Sequence, residues 1–279
     1  MTVDKTEYLQ NLKTFENFHD FAIDISDKVA GYKVPTHLAK ANQLFIRMTM
    51  TSLSIIHLLP ENTRFPAYNG FWDFFSIASL ARNLVENYHM FYYVGVEDIP
   101  QLEREFRLML LVYHHHCEQY KLYRESDSES NIIREFETNL PKEKEDLKSH
   151  PFFNNLSKEI SGKVLGGKTA MYLNNKEVSN RIHFNTDEFM LMYRLLSNHT
   201  HSTHLSFFSM TNVRGNGEEN INEIAYITMT IDFCIKYLSA AIIDMFKLFP
   251  MQTKSLNQTK YKLVREKLES YESENGNAQ

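Results

Sequence analysis

The chain is poor in the two residue types that tight turns require. Only 9 glycines and 7 prolines occur among 279 residues. Strand-rich proteins need many turns, and glycine and proline supply the backbone conformations of those turns. The prolines lie where stretches of apolar residues at helical spacing begin or end, as expected of a residue that breaks helix interiors: positions 35, 60, 66, 100, 141, 151 and 250. The sequence therefore predicts an all-α fold, a single multi-helix bundle with long antiparallel helices.

The spacing of apolar residues predicts the individual helices. Helical periodicity occurs at residues 4–30, 35–59, 71–94, 100–124, 131–148, 186–208, 221–249 and about 250–271. A hydrophobic fraction of 43% is ample for a core and excludes disorder over most of the length. The helices on both sides of residues 125–185 have long apolar faces that need one another for burial. We therefore predict one domain over residues 4–273, with 125–185 as a candidate insertion or lid and 274–279 as a disordered tail.

The charge balance limits the partners of the chain. A net charge of −5 and an isoelectric point near 6.2 argue against the broad basic face that general nucleic-acid binding needs. A local basic pocket is still compatible with these values. Cys117 and Cys234 lie in apolar helical contexts. We expect both to be small buried residues in a reducing compartment, with no disulfide partner.

The apolar stretches predict a soluble cytoplasmic protein that makes no membrane contact. Residues 1–7 lack the apolar core of a signal peptide. The most apolar long stretch, residues 231–249, contains four charged side chains, Asp232, Lys236, Asp244 and Lys247. Because these are too many charges for a membrane span, we expect a buried helix of the bundle instead.

Two arginines are each followed, seven residues later, by a histidine in a predicted helix. The pairs are Arg82 with His89, and Arg194 with His201. Seven residues are almost two helical turns, so both members of a pair leave the helix on the same face. A guanidinium binds phosphate through several N–H donors, and an imidazole exchanges a proton near neutral pH. These four residues are therefore candidate catalytic residues of a site that needs no metal ion and no cofactor.

Further polar residues extend each pair into a stripe along its helix. Glu86 follows Arg82 by four residues, and Ser197 and His204 follow Arg194 by three and ten. If the two helices are neighbours, the stripes meet in one pocket, because charges buried without partners are costly. The alternative is structural. The stripes would then be an ion pair within one helix and a histidine cluster that tie helices together.

Three other patterns point to a bound metal or phosphate, and we interpret each as coincidence. Glu86 and His89 have the Glu-x-x-His spacing of di-iron bundles, but such a site needs a facing copy and two further glutamates. Residues 162–169 match the phosphate-loop pattern G-x-x-x-x-G-K-[ST]. The residues before them indicate a helix, not the buried strand that such a loop follows. His19-Asp20 has no further metal ligands at a suitable spacing.

Two segments carry a resemblance to a known family. Residues 79–86 (Ser-Leu-Ala-Arg-Asn-Leu-Val-Glu), 193–197 (Tyr-Arg-Leu-Leu-Ser) and 201–202 (His-Ser) resemble a bacterial helical family that is known only as a domain of unknown function. In that family, an Arg…Glu helix is followed by a Tyr…Leu-Ser…His helix. The resemblance covers most of residues 35–250 in layout and implies a helical bundle.

The spacing Arg-x4-6-His is also similar to that of the HEPN superfamily (higher eukaryotes and prokaryotes nucleotide-binding). Arg82-Asn83 has the polar residue that usually follows the arginine of that superfamily, whereas Arg194-Leu195 does not. The resemblance implies a metal-independent endoribonuclease or RNA-binding effector of a bacterial antiviral defence or toxin system. The partners it implies are RNA and either a second copy, in a homodimer, or a partner protein.

The same resemblance implies a role for each candidate residue. His201 or His89 would act on a ribose 2′-hydroxyl. Arg194 and Arg82 would stabilise charge on the phosphate, with Glu86 orienting a partner. The candidate substrate-binding residues are Tyr193, Ser197, Asn83 and His199. The alternative function is non-catalytic: a helical partner-binding or sensor protein whose polar stripes fix the packing.

Overall fold

The predicted all-α fold is confirmed. The computed structural model describes residues 4–66, 70–126, 131–182, 184–201, 203–209 and 214–276. An isolated antiparallel bridge joins Trp72 and Gly217. The helices are α1 (Lys5–Val29), α2 (Thr36–Leu58), α3 (Phe74–Phe91), α4 (Gln101–Ser126), α5 (Asn131–Ser149), α6 (Lys158–Leu165), α7 (Asn175–Ile182), α8 (Thr186–Thr200), α9 (His204–Ser209), α10 (Ile221–Leu248), α11 (Pro250–Thr253) and α12 (Gln258–Gly276).

The chain divides into two compact units. The first comprises residues 1–96 and 175–279, and the second comprises residues 97–174. The second unit begins at Glu97 and includes most of the segment 125–185 that the sequence sets apart as a candidate insertion. Of the predicted tail, residues 274–276 still belong to α12, and 277–279 lie outside the described residues.

α10 is the core helix of the first unit. It packs against α1, α3 and α12, and buried residues surround it on nearly every side. By length and composition alone it could cross a membrane, with a mean hydropathy of 1.4 over 18 residues, but 83% of that window is buried inside the structure. Its start is set by Asn220, whose side chain accepts the N–H groups of Asn222 and Glu223, both at 3.0 Å, which is a normal N-cap.

α3 lies between α2, α8 and α10 and therefore sets the position of the Arg82 stripe. It begins at Asp73, whose carboxylate accepts the Ser76 N–H at 3.1 Å. Its last turn continues as a π-helical turn over Tyr92–Val96. The N-cap of α8 is Asn185, which accepts the N–H groups of Asp187 and Glu188 at 2.9 and 3.0 Å.

The single helix predicted over residues 186–208 is wrong, because the chain breaks into α8 and α9. Thr203 N–H bonds to the Asn198 carbonyl at 3.2 Å, and the Thr203 hydroxyl bonds to the Asn198 side chain at 2.8 Å. Such side-chain bonds compete with the helical ladder. His201 therefore caps α8, with φ −98° and ψ 9°, and leaves the helical path.

The middle of the chain contains three shorter helices. The sequence indicated a helix just before residue 162, where α6 lies, and it predicted none over α7. α5 covers the helix predicted over residues 131–148 and runs through Pro141, a residue type expected at the ends of such stretches. Ile133 and Leu147 near the two ends of α5 are both buried, and α5 packs against α4. Burial at both ends stabilises a continuous helix and offsets the backbone hydrogen bond that the proline removes.

Candidate functional site

α3 and α8 are neighbours, and they bring Arg82 together with His201 of the second stripe and with Tyr193, which precedes that stripe. Arg82 Nη1 lies 2.7 Å from His201 Nε2, and Nη2 donates to the Tyr193 hydroxyl at 3.2 Å. The guanidinium also lies over the Tyr193 ring, with Cζ 5.0 Å from the ring centroid, a cation–π distance. On α3 itself, Arg82 Nε donates to Glu86 Oε1 at 3.1 Å. The first stripe therefore meets the second stripe at His201.

The Tyr193 hydroxyl is the centre of this network. It donates to Glu86 Oε1 at 2.6 Å and accepts from Arg82 and from Asn175 Nδ2, the latter at 3.1 Å. Burial, followed by the neighbouring Glu86 carboxylate, raises the pKa of Tyr193 above its ordinary value. The phenol therefore stays protonated and keeps donating to Glu86 at physiological pH.

Asn175 extends the network from the site to His89. The His89 Nδ1 atom lies 3.1 Å from Asn175 Oδ1. Because an amide oxygen only accepts, Nδ1 carries the proton and Nε2 is a lone pair. This Nε2 is buried without a partner among the described residues. Burial lowers the pKa of His89 to about 4. His89 is therefore a neutral, fully buried end of the network, out of reach of a large substrate.

The outer part of the site is accessible to solvent. The Arg82 side chain is 18% exposed and that of Glu86 38% exposed, and His201 lies on the surface. Since arginine can only donate, His201 Nε2 accepts the hydrogen bond, and the imidazole is neutral with its proton on Nδ1. The bonds to Glu86, Tyr193 and His201 use three of the five N–H donors of the guanidinium. Because Nη2 also lies 3.1 Å from Glu86 Oε1, the second N–H of Nη1 is the donor left for an anion.

Arg194 does not pair with His201 in the structure. Its side chain is exposed on α8, while His201 contacts Arg82 instead. Two physical reasons account for the difference. Tyr193, one position earlier, faces α3 in place of Arg194. His201 lies beyond the last helical residue, so the step of seven no longer places it over Arg194.

The other predicted substrate-binding residues also bond elsewhere. Ser197 donates to the Tyr193 carbonyl at 2.6 Å, a bond within α8. The side-chain oxygen Oδ1 of Asn83 accepts from Asn87 at 2.9 Å and lies 3.3 Å from the Thr51 hydroxyl of α2. Of the four residues, Tyr193 alone contacts the Arg82 site among the described contacts.

His199 is part of the packing between helices. Its Nδ1 bonds to the Leu195 carbonyl at 2.8 Å, and its ring packs against Phe74 and Phe75 at 4.7 and 5.1 Å. Burial lowers the pKa of His199, and the neighbouring Arg214 lowers it further. The side chain is therefore a neutral packing residue.

Asn175 is the site residue that sequence reasoning missed. It lies at the start of α7, a short helix whose eight residues give little periodicity to detect. Nothing in the sequence near Asn175 distinguishes it from other polar residues. Its role follows from the tertiary placement of α7 beside α3 and α8.

The structure provides no geometry for the metal and phosphate patterns. Among the described residues, no group of three or more His, Cys, Asp or Glu side chains could hold a metal ion. A second Glu-x-x-His does occur at residues 16–19, but His19 bonds to Ser52 at 2.8 Å and Glu16 to the Thr63 N–H at 2.9 Å. The phosphate-loop match at residues 162–169 begins inside α6, so its first half is helical instead of forming a loop.

A family model, described as "Family of unknown function (DUF5677)", matches residues 39–220, more than half of the chain. The chain belongs to the DUF5677 family. The prediction of a helical family of unknown function is thereby confirmed. The DUF5677 match includes every residue of the Arg82 network and ends just before α10, the core helix. No curated protein and no solved structure matches the chain.

Proposed function

We propose that this DUF5677 chain is an HEPN-like, metal-independent endoribonuclease or RNA-binding effector of a bacterial defence or toxin system. It would act in the cytoplasm, as a homodimer or with a partner protein. The observation that carries the proposal is the 2.7 Å contact between Arg82 Nη1 and His201 Nε2. A phosphate-binding cation and a proton-transferring ring come from two helices and meet at an accessible surface.

The chemistry needs only these two groups and solvent. The His201 Nε2 lone pair takes the proton of a ribose 2′-hydroxyl, and the 2′-oxygen attacks the adjacent phosphorus. The bond from phosphorus to the 5′-oxygen breaks, and that oxygen takes a proton from water. The products are a 2′,3′-cyclic phosphate and a 5′-hydroxyl. Donors of Arg82 offset the charge that develops on the non-bridging oxygens.

Because Arg82 and His201 are hydrogen-bonded to each other, binding of a phosphate to Arg82 also changes the state of His201. In the structure the Nε2 lone pair is occupied by the guanidinium. When a phosphate takes over that Arg82 donor, Nε2 is released and becomes a free base beside the substrate. Glu86 and Tyr193 hold the rest of the guanidinium in place, so that one donor can change partner without the side chain leaving the site.

The net charge of the chain supports RNA binding at one local site and not along an extended basic surface. With a net charge of −5, the chain has little general attraction for polyanions. Binding through one or two phosphates predicts a shallow salt dependence, because each single-strand phosphate contact contributes a slope of about −0.7 in log affinity against log salt.

The test is RNA cleavage by purified protein in the presence of a chelator. We expect wild type and Arg194→Ala to cleave, and His201→Ala and Arg82→Lys to lose at least about tenfold in rate, since general base catalysis alone contributes 10²–10⁴-fold. Arg194→Ala is the matched control, because it removes an exposed arginine of α8 that lies outside the network. Lysine keeps the charge of Arg82 but not its fork of donors.

The product ends and the RNA survival decide the outcome. Cyclic phosphate ends that vanish in His201→Ala support the mechanism. Equal survival of RNA with wild type, His201→Ala and no protein removes the nuclease. Binding of RNA without cleavage, reduced by Arg82→Lys, supports the effector form of the proposal.

The second candidate is a non-catalytic partner-binding or sensor protein. The observation that favours it is that the same network extends from the surface to a buried residue. Hydrogen bonds run from Glu86 through Tyr193 and Asn175 to the buried His89 and so join α3, α7 and α8. In this case Arg82→Met lowers the melting temperature, and no variant affects RNA. His201→Ala separates the two candidates, because His201 is exposed and its loss has little effect on stability in either case.

A further inference from the structure

A cavity separate from the Arg82 site has a buried carboxylate in its lining. Its volume is about 340 Å³, and it lies among α3, α10 and α12. Asp244 of α10 is 5% exposed. Its Oδ2 accepts from the Tyr88 hydroxyl at 2.9 Å, and its Oδ1 accepts from Lys247 Nζ at 2.9 Å. One buried anion therefore faces the cavity.

The cation that now pairs with Asp244 is a weak partner. Asp244 and Lys247 are three residues apart on α10, and 67% of the Lys247 side chain is exposed. An exposed lysine loses side-chain entropy when it is held in one geometry, and water competes for its ammonium. Burial raises the pKa of Asp244 even with Lys247 and Tyr88 beside it. The carboxylate is therefore incompletely compensated, and a better-placed cation would stabilise its charged form.

Aromatic rings form the walls beside the carboxylate. Tyr88 and Phe184 lie nearly parallel, with 6.3 Å between ring centroids and 18° between planes. The Tyr92 hydroxyl donates to the Arg181 carbonyl at 2.8 Å, which fixes that ring. The faces of aromatic rings attract ammonium groups. Lys236 Nζ already lies 4.9 Å from the Phe184 centroid, so this ring accepts an ammonium in the structure.

We propose that the cavity binds a short aliphatic diamine, with one ammonium on Asp244 in the place that Lys247 Nζ now occupies. The aliphatic stem and ammonium of Lys247 are an intramolecular stand-in for such a ligand. Glu272 of α12 is an exposed carboxylate on the cavity lining, and it pairs with the second ammonium. Tyr88 keeps Asp244 oriented.

The test is calorimetric titration of the full chain with butane-1,4-diamine. Wild type binds, and Asp244→Asn does not. Lys247→Gln removes the internal competitor and binds up to about fivefold more tightly, the value that corresponds to one exposed ion pair. Lys262→Gln is the matched control, because Lys262 is also an exposed lysine with a carboxylate neighbour, Glu266 at 3.5 Å. This variant leaves the affinity for the diamine unchanged.

Two further ligands make the chemistry specific. Glu272→Gln weakens the diamine but leaves butylamine unchanged, since butylamine has no second ammonium. Tetramethylammonium binds poorly, because it has no N–H to donate to Asp244. Absence of binding to both wild type and Lys247→Gln, with both folded by circular dichroism, overturns the proposal, and so does preference for tetramethylammonium. Because Lys247 is exposed, its variant stays testable even if Asp244→Asn fails to fold.

Discussion

Tyr193→Phe tests whether the hydroxyl at the centre of the site joins α3 to α8. The substitution removes one oxygen and three hydrogen bonds, to Glu86, Arg82 and Asn175. A typical hydrogen bond contributes roughly 0.5–1.5 kcal/mol net. The Glu86 side chain is 38% exposed, so water replaces part of the loss. We expect the free energy of unfolding to fall by about 2 kcal/mol, which corresponds to about 4 °C in melting temperature for a chain of this size.

The assay is urea denaturation followed by circular dichroism, with Tyr226→Phe as the matched control. Tyr226 is half-buried and stacks on Phe74 at 5.1 Å, and no hydrogen bond of its hydroxyl is found among the described residues. Its variant should change stability by less than about 0.5 kcal/mol, as for a substitution without a specific contact. In a double-mutant cycle, Tyr193→Phe and Glu86→Gln should be non-additive by about 0.5–1 kcal/mol. The reasoning would be refuted if Tyr193→Phe were as stable as Tyr226→Phe and if the effects of Tyr193→Phe and Glu86→Gln were fully additive.

Three further predictions concern pH and backbone packing. The folded pKa of His89 is lowered to about 4 from 6.5, so the unfolded chain binds the proton first. The contribution of His89 to the free energy of unfolding is therefore present above pH 6.5 and is lost between pH 6.5 and 4, by up to about 1.4 kcal/mol per pH unit. In urea titrations at pH 7 and 5, the free energy of unfolding should change less with pH in His89→Leu than in wild type. The exposed His204→Gln should behave like wild type. Gly95→Ala would place a Cβ 2.5 Å from the Ala41 Cβ, and we expect a loss of about 1–3 kcal/mol in unfolding free energy; unchanged stability would contradict this packing. Gly162 lies inside α6 with open space around it, so Gly162→Ala should raise stability by about 0.5–1 kcal/mol, and a decrease in its denaturation midpoint would show that α6 needs the glycine.

The helices could be predicted because their causes are local. α1, α2, α4 and α10 begin and end within a few residues of the apolar periodicity, since each buries one face along its own length. The bounds of α6 and the whole of α7 were not predicted, because eight residues span barely two turns. α5 was predicted over residues 131–148 in spite of Pro141, and its packing on α4 is a tertiary reason why the helix tolerates that proline.

The sequence predicted most of the residues of the site, but only some of the contacts between them. The structure places Arg82, Glu86 and His201 together, as expected if the two helices are neighbours. Arg194 does not pair with His201, because the spacing rule assumed that α8 stays helical through His201. Asn175 had no detectable signal, because its contacts come from a separate helix.

The sequence alone determined the helical class, the family of unknown function and the polar stripe along each of two helices. The spacing of apolar residues and the scarcity of glycine and proline determine structure within one segment of the chain. They can therefore be interpreted without knowing which other helices that segment contacts. The tertiary structure alone decided that Tyr193 lies between Arg82 and Glu86, that His89 is buried, and that Asp244 faces a cavity. These depend on how each helix is rotated against the next, and a rotation by one residue moves a side chain by 100° around the axis.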